Sequence, residues 1–294
     1  MNRADKGAMP YHLGTTQWGL KEWKGVFFSK DATPDRFLSQ YASVFSTVEG
    51  NTTFYRVPDA ETVQRWKEAV PETFRFCFKF PKSVTHEHLL SGSALERAMS
   101  FLKRLEPLRT RLGPFHLQLS ERFSHEQMGD LERFLEQLPA EYSYAVEVRH
   151  PDFFDNGRQE RYLEELLRQL NMDRVIFDTR RLHDMKSSDP SVLEAKRKKP
   201  TAPPRFRTTG SRPFLRYVGG NRWIDNEAWL KEWAIMVANW IREGLHPYIF
   251  IHSPDKVSAP ELARHFHREL ASLISLPSLP AWPVDRQDQQ LGLF

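Results

Sequence analysis

Tyr144-Ala145-Val146-Glu147-Val148-Arg149 reads as a buried β-strand whose alternation sends Val146 and Val148 to one side and Glu147 and Arg149 to the other. A helical stripe follows it: Tyr162, Leu163, Leu166, Leu167 and Leu170 recur at three- and four-residue spacing. Together they make one strand-then-helix unit, and the unit repeats outward in both directions. Strand segments lie before it at Tyr11–Thr15, Ser46–Glu49, Phe74–Phe80 and Pro114–Leu119, and after it at Asp173–Asp178, Pro213–Val218 and Pro247–Ile251, eight in all. Most are rich in Val, Ile, Phe and Tyr, as buried strands require.

Helical patterns fill the gaps. Thr33-Pro34 pairs an N-cap with a proline at the first helical position, ahead of Phe37, Leu38, Tyr41 and Phe45. Ser93-Ala94-Leu95-Glu96 and Ser124-His125-Glu126-Gln127 read as capping boxes, and Ser258-Ala259-Pro260-Glu261 caps a last helix. Trp229, Trp233, Val237 and Trp240 form another helical stripe. Eight alternations predict an α/β fold, a single (β/α)8 TIM-like barrel over residues 1–275, in preference to an open doubly wound sheet. No Gly-rich dinucleotide fingerprint follows any strand, which also counts against the open sheet. Two segments stand outside the alternation. Residues 181–212, after strand six, form a polar insertion with Pro190, Pro200, Pro203 and Pro204, and residues 276–294 form a tail spaced by Pro277, Pro280 and Pro283.

Composition narrows the classes. The chain has 294 residues, is 40% hydrophobic and carries a formal net charge of +4. That apolar fraction is too high for a disordered chain. No apolar run approaches the length of a membrane span. Met1–Met9 is charged and lacks the apolar centre of a secretory signal, so a cytoplasmic location is expected. The single Cys77 forbids an intrachain disulfide and a cysteine-rich metal site.

The strand ends carry a recognisable pattern. Trp18…Trp23-Lys24-Gly25-Val26-Phe27-Phe28 comes first, then Phe45-Ser46-Thr47-Val48-Glu49-Gly50-Asn51-Thr52-Thr53-Phe54-Tyr55, then Phe78-Lys79-Phe80-Pro81 with Thr85-His86. Leu117-Gln118-Leu119, Glu147-Val148-Arg149-His150 and Arg216-Tyr217-Val218-Gly219 follow. These blocks resemble the YecE-like family, domain of unknown function 72, from Tyr11 to about Leu270. The resemblance implies a TIM-like barrel and no settled activity. Many members carry an Asn-rich stretch after the last strand. This chain reads Phe250-Ile251-His252-Ser253-Pro254-Asp255 there, so any role of those amides has lapsed or passed to His252.

In such a barrel, chemistry belongs at the C-terminal ends of the strands, the mouth. Glu49 and Asn51 end strand two, Lys79 ends strand three with His86 beyond it, and Gln118 lies in strand four. Glu147, Arg149 and His150 end strand five, Asp178 strand six, Arg216 strand seven and His252 strand eight. Buried ionised groups are costly unless paired, so this collection implies mutual pairing, a ligand, or both. Three readings follow. The first is a structural network in which Glu49 and Glu147 neutralise Lys79, Arg149 and Arg216. The second is an anion site, with Arg149, Arg216 and Lys79 gripping phosphate or carboxylate, Glu49 or Glu147 as base, and His86, His150 or His252 as acid. The third is a divalent-metal site from Glu49, Glu147, His150, Asp178, His86 and His252, without any compact ligand spacing to support it. The second is preferred over the third, and no cofactor is fixed. Trp18, Trp23, Phe54 and Tyr55 form either an aromatic wall for a ligand or a plug closing the barrel; packing is the reading for Trp23 and Phe54, which leaves Trp18 and Tyr55 as substrate-binding candidates with Asn51, Gln118 and Asp178.

Charge is uneven along the chain. From Ala195 to Ile224 there is no Asp or Glu, while Lys196, Arg197, Lys198, Lys199, Arg205, Arg207, Arg212, Arg216 and Arg222 all fall there. A flexible basic loop overhanging the mouth suits a nucleic-acid backbone or the steering of an anion, with Lys196, Arg197, Lys198, Lys199, Arg205 and Arg207 as the contacts. The chain ends Gln290-Leu291-Gly292-Leu293-Phe294. This resembles the bacterial sliding-clamp-binding peptide, in which Leu293 and Phe294 fill an apolar groove and Gln290 and Leu291 flank it; the other reading is a tail folded over the barrel.

These features join in one expectation: a hydrolase or lyase for a phosphate-bearing substrate, DNA among the options, brought to the sliding clamp by its tail. Two alternatives stay open. One is a small-molecule enzyme for a sugar phosphate or organic acid. The other is a non-catalytic adaptor that binds the clamp and nucleic acid.

Overall fold

The computed structural model describes residues 9–87 and 89–286. Its elements alternate much as the sequence predicts. β1 (His12–Thr15), α1 (Pro34–Ala42), β2 (Thr47–Gly50), α2 (Ala60–Ala69), β3 (Arg75–Phe78), the short α3 (Lys82–Thr85) and α4 (Ala94–Leu105) come first. Then follow β4 (Phe115–Gln118), α5 (Met128–Glu136), β5 (Tyr144–Glu147), α6 (Arg158–Gln169), β6 (Asp173–Arg174) and β7 (Ile176–Asp178). The chain continues through α7 (Arg180–Asp184), α8 (Pro190–Lys198), β8 (Phe214–Val218), α9 (Glu227–Arg242), β9 (Tyr248–His252) and α10 (Ala259–Ala271). The sixth predicted strand is thus two short pieces, separated at Val175. Helix stripes pack inward: Leu131 and Leu135 of α5, Leu163 and Leu167 of α6, and Trp233 and Val237 of α9 are buried in the main core.

The caps are less regular than expected. Ser124 forms its capping box with Gln127. Thr33, Ser93 and Ser258 give no side-chain cap, although Pro34 opens α1 as predicted. Ser93 Oγ instead accepts from Arg97 Nε, and Ser258 Oγ donates to Asp255.

All strand pairs are parallel. They form three sheets, β1-β9-β8-β7, β2-β3 and β4-β5-β6, rather than the one closed ladder expected. The reasons are local. Between β3 and β4 only the isolated bridges Phe76–Leu112 and Lys79–His116 form. Between β1 and β2 a side chain replaces the ladder: the Tyr41 hydroxyl accepts from Thr15 N–H at 2.7 Å and donates to Thr47 O at 3.0 Å. Gly14 makes this approach feasible, since a Cβ there would lie 2.0 Å from Thr47 O.

The insertion and the tail are both more ordered than expected. The basic segment contains α8, and four of its charges are engaged. Lys196 donates to the carbonyls of His183 and Met185, Lys198 pairs with Glu194, Arg205 with Glu160 and Arg207 with Glu164. Glu160 and Glu164 of α6 also hold the buried Arg174, so the insertion is clamped onto that helix. In the tail, Trp282 and Val284 join the core, Val284 N–H donates to Phe27 O at 3.3 Å, and Arg264 lies 3.8 Å from the Trp282 ring centre. Gln290, Leu291, Leu293 and Phe294 lie outside the described residues.

Candidate functional site

Strand alternation aims a set of charged side chains at one another among the strand ends. Arg216 of β8 is the hub. Its Nε and Nη2 donate to Glu49 Oε2 and Oε1 of β2 at 2.8 and 2.7 Å, and its Nη1 donates to Glu147 Oε2 of β5 at 2.6 Å. Arg149 donates from Nε to Glu147 Oε1 and from Nη2 to Gln118 Oε1, both at 2.8 Å. Gln118 Oε1 also accepts from Lys79 Nζ at 2.5 Å. Lys79 Nζ lies 4.3 Å from the Phe54 ring centre, and that ring meets the edge of His86 at 4.9 Å. His252 Nε2 stands 3.5 Å from Glu49 Oε2.

Two members of the cluster escaped the sequence reading, and two more were assigned other roles. His116 lies fully buried two residues before Gln118 and therefore on the same face. Its Nε2–H donates to Glu147 Oε2 at 3.0 Å, while its Nδ1 is buried without a hydrogen-bond partner, 4.0 Å from Glu49 Oε1. Phe177 is the second: Arg216 stacks over its ring at 4.5 Å, with Arg149 at 5.7 Å and Lys199 Nζ at 5.6 Å. Lys199 thus reaches the mouth instead of an outer surface, and Phe54 serves as a face for Lys79.

Other candidates lie elsewhere. Phe177 pairs in register with Arg216 and Asp178 with Tyr217, so Asp178 faces the helices. There it accepts from Trp233 Nε1 at 2.7 Å and from Arg180. His150 caps residues 151–153 through Asp152 N–H, and Asp152 also binds His125. Asn51 donates to Thr16 O at 3.2 Å, which holds the loop after β1. Trp18 packs against Trp66 and Phe76. Tyr55 is 77% exposed. Among the described residues no group of three or more His, Cys, Asp or Glu converges as a metal ion would need.

The electrostatics follow from burial. Burial alone would raise the carboxyls of Glu49 and Glu147, but Arg216 outweighs it, with His252 and His116 helping at Glu49 and Arg149 and His116 at Glu147; both stay well below their ordinary values. Burial, with neighbouring Arg216, pushes Lys79 down to about 7, against the pull of Glu147 and Glu49. Lys199 falls to about 8 for the same two reasons. Burial holds His252 down to about 4, and burial with the charge of Lys79 does the same to His86. The two glutamates therefore balance Arg216 and Arg149, which leaves Lys79 and Lys199 without an ion pair among the described residues.

This is an α/β protein with parallel sheets and a mixed-charge cluster at its strand ends. The chain belongs to the family described as "Protein of unknown function DUF72", whose profile matches residues 12–284. It is 35% identical over 280 residues to UPF0759 protein YecE of Escherichia coli strain K12, covering 95% of this chain and 99% of that one. It is 31% identical over 74 residues to UPF0759 protein YunF of Bacillus subtilis strain 168, a quarter of each chain. A crystal structure of a DUF72 family protein from Thermotoga maritima superimposes with a TM-score of 0.66 at 25% identity, covering 88% of this chain and 98% of that one. One from Enterococcus faecalis also gives 0.66, at 18% identity, covering 92% and 98%. Among the described residues no helix is long and apolar enough to cross a membrane.

Proposed function

We propose that the strand-end cluster binds a small molecule bearing a phosphate or carboxylate group, and that the chain is a cytoplasmic lyase or hydrolase acting on it. The supporting observation is the surplus positive charge: Lys79 and Lys199 face a site whose two carboxylates are already balanced by Arg216 and Arg149. A guanidinium offers two parallel donors to such an anion, and the Arg149 side chain is 17% exposed against 5% for Arg216. We also read the three sheets as one barrel-like ring, because side chains from β2, β4, β5, β8 and β9 meet in a single cluster.

The distribution of roles shifts accordingly. Glu49 and Glu147 are bound as ions and make poor proton carriers near neutrality. Lys79, at about 7, has the matched proton affinity that acid–base catalysis requires. Support for an extended nucleic acid is thinner, since Lys196, Lys198, Arg205 and Arg207 are spent on partners within the chain.

The test is thermal unfolding with inorganic phosphate, pyrophosphate or malonate, and separately with nicked and abasic oligonucleotides. A ligand bound only to the folded chain raises its melting temperature. The small anions raise it, and Arg149→Gln removes the effect. Protection by oligonucleotides alone would transfer the function to nucleic acid.

A separate reading rests on Gln290-Leu291-Gly292-Leu293-Phe294. Four of its five positions match the clamp-binding pattern, which supports a bacterial sliding clamp as partner whatever the mouth does.

A further inference from the structure

We propose that Lys79 is a nucleophile that forms an imine with an aldehyde or ketone carrying an anionic group. The inference rests on the anion-binding mouth proposed above and names the substrate class for it. Four observations carry it.

The first is placement. Lys79 stands just past the end of β3, 7% exposed, with Nζ fixed between Gln118 Oε1 and the Phe54 ring. The second is pairing. Among the described residues no carboxylate forms an ion pair with Nζ, because Arg216 and Arg149 occupy both glutamates. A lysine kept for structure in a buried cluster would take one of them. The third is protonation: burial and the nearby Arg216 bring this amine to about 7, so a large fraction is neutral where an ordinary lysine is not. The fourth is the setting. Gln118 ties Lys79 to Arg149, and Arg216 is near enough to lower the proton affinity of Nζ, so cationic groups flank the amine where an anionic substituent would lie.

The chemistry balances without a further reactant. The Nζ lone pair attacks the carbonyl carbon, and the C=O π pair moves to oxygen, which takes one proton from nitrogen. The resulting carbinolamine expels its hydroxyl with the second nitrogen proton. A C=N bond has formed, the C–O bond has broken, and one water leaves. Protonation of the imine restores positive charge at nitrogen, which Glu147 and Glu49 favour. An iminium of this kind draws electrons from the adjacent carbon, which is what a lyase breaking a carbon–carbon or carbon–oxygen bond requires.

Pyridoxal 5′-phosphate, an aldehyde with a phosphate, is the probe, followed by borohydride reduction and mass analysis of the tryptic peptide spanning residues 76–82. The reduced adduct is expected on Lys79 ahead of all other lysines, with a rate that rises through about pH 7. Pyridoxal, which lacks the phosphate, should label Lys79 about tenfold more slowly or less, the scale of electrostatic enrichment in a charged cleft. Lys79→Arg should remove this adduct while retaining phosphate protection against thermal unfolding. Adducts scattered over surface lysines, or placed on Lys199 instead, would overturn the imine. Phosphate protection with Lys79 unlabelled would also overturn it and leave the anion site standing. Equal labelling by the two aldehydes would keep the nucleophile and sink the anion site.

Discussion

Arg216 grips Glu49 through two parallel contacts, Nε to Oε2 at 2.8 Å and Nη2 to Oε1 at 2.7 Å, across the strand ends of β8 and β2. Its third arm reaches Glu147. One guanidinium thus keeps two buried carboxylates ionised. Arg216→Met strands both, and breaking a buried pair in this way costs about 3–5 kcal/mol. Arg216→Lys recovers little, because a point charge cannot fork across both oxygens of Glu49. Urea denaturation of the two variants checks this; a lysine variant as stable as the parent would refute the geometric argument.

Tyr41 carries the seam between β1 and β2. Tyr41→Phe removes the acceptor for Thr15 N–H and the donor to Thr47 O, both buried. Leaving a buried backbone group unsatisfied costs about 1–3 kcal/mol. The loss should appear as a lower urea midpoint with an unchanged slope. Hydrogen exchange should show Thr15 N–H losing protection before the amides in the β8–β9 ladder.

Glu160 pins the insertion. It binds Arg174 and Arg205, and it accepts from Asn156 N–H at 2.8 Å. Glu160→Ala should loosen residues 199–212, and trypsin should then cut after Arg205 and Arg207 well before it cuts elsewhere. Resistance equal to the parent would place the restraint in other contacts, with Thr209 Oγ1 to Met172 O the next candidate.

The strand segments were legible in the sequence because apolar runs of Val, Ile and Phe have few other fates. Each observed strand falls inside its predicted segment or exceeds it by one residue, as at Gly50 and His252. What misled was charge. Asp173 pairs with Ala145 and shares the face of Glu147, and alternation carries that face through Val175 to Phe177, so Phe177 and not the strand-ending carboxylate Asp178 shares a face with Arg216. His116 was readable from Gln118 by the same two-residue rule, yet a histidine inside a strand of Phe and Leu carries no charge pattern to draw notice. The fate of Arg205 and Arg207 in the basic run was not legible, because Glu160 and Glu164, which hold them, lie some forty residues earlier. The discontinuous ladder was hidden too, since nothing in a tyrosine marks it as a substitute for backbone pairing.

The terminal pentapeptide makes a prediction independent of the fold. If Leu293 and Phe294 fill an apolar groove on the sliding clamp, they are the anchors, and a few anchors dominate a small interface. Co-purification of the clamp with the full chain should be lost in Leu293→Ala/Phe294→Ala and retained in Arg149→Gln. An unchanged yield from the double variant would refute the partner.

Stability should rise with pH on both sides of neutrality, through different groups. His252 and His12 are both held down to about 4 by burial, whereas an unfolded histidine titrates near 6.5. Between those values the unfolded chain binds protons that the fold refuses, so stability is full above about 6.5 and is lost as pH falls toward 4. A single fully buried histidine contributes a slope of up to about 1.4 kcal/mol per pH unit in that window. On the other side, Lys79 and Lys199 titrate at about 7 and 8 in the fold and near 10.5 in the unfolded chain, so stability should rise from neutrality toward pH 10. Urea midpoints at intervals from pH 4 to pH 10 test both limbs. His252→Gln should flatten the acid limb without touching the alkaline one, and Lys79→Gln should do the reverse. If Lys79→Gln leaves the alkaline limb unchanged, the amine is an ordinary ammonium in the fold, and its candidacy as base and nucleophile falls with that result.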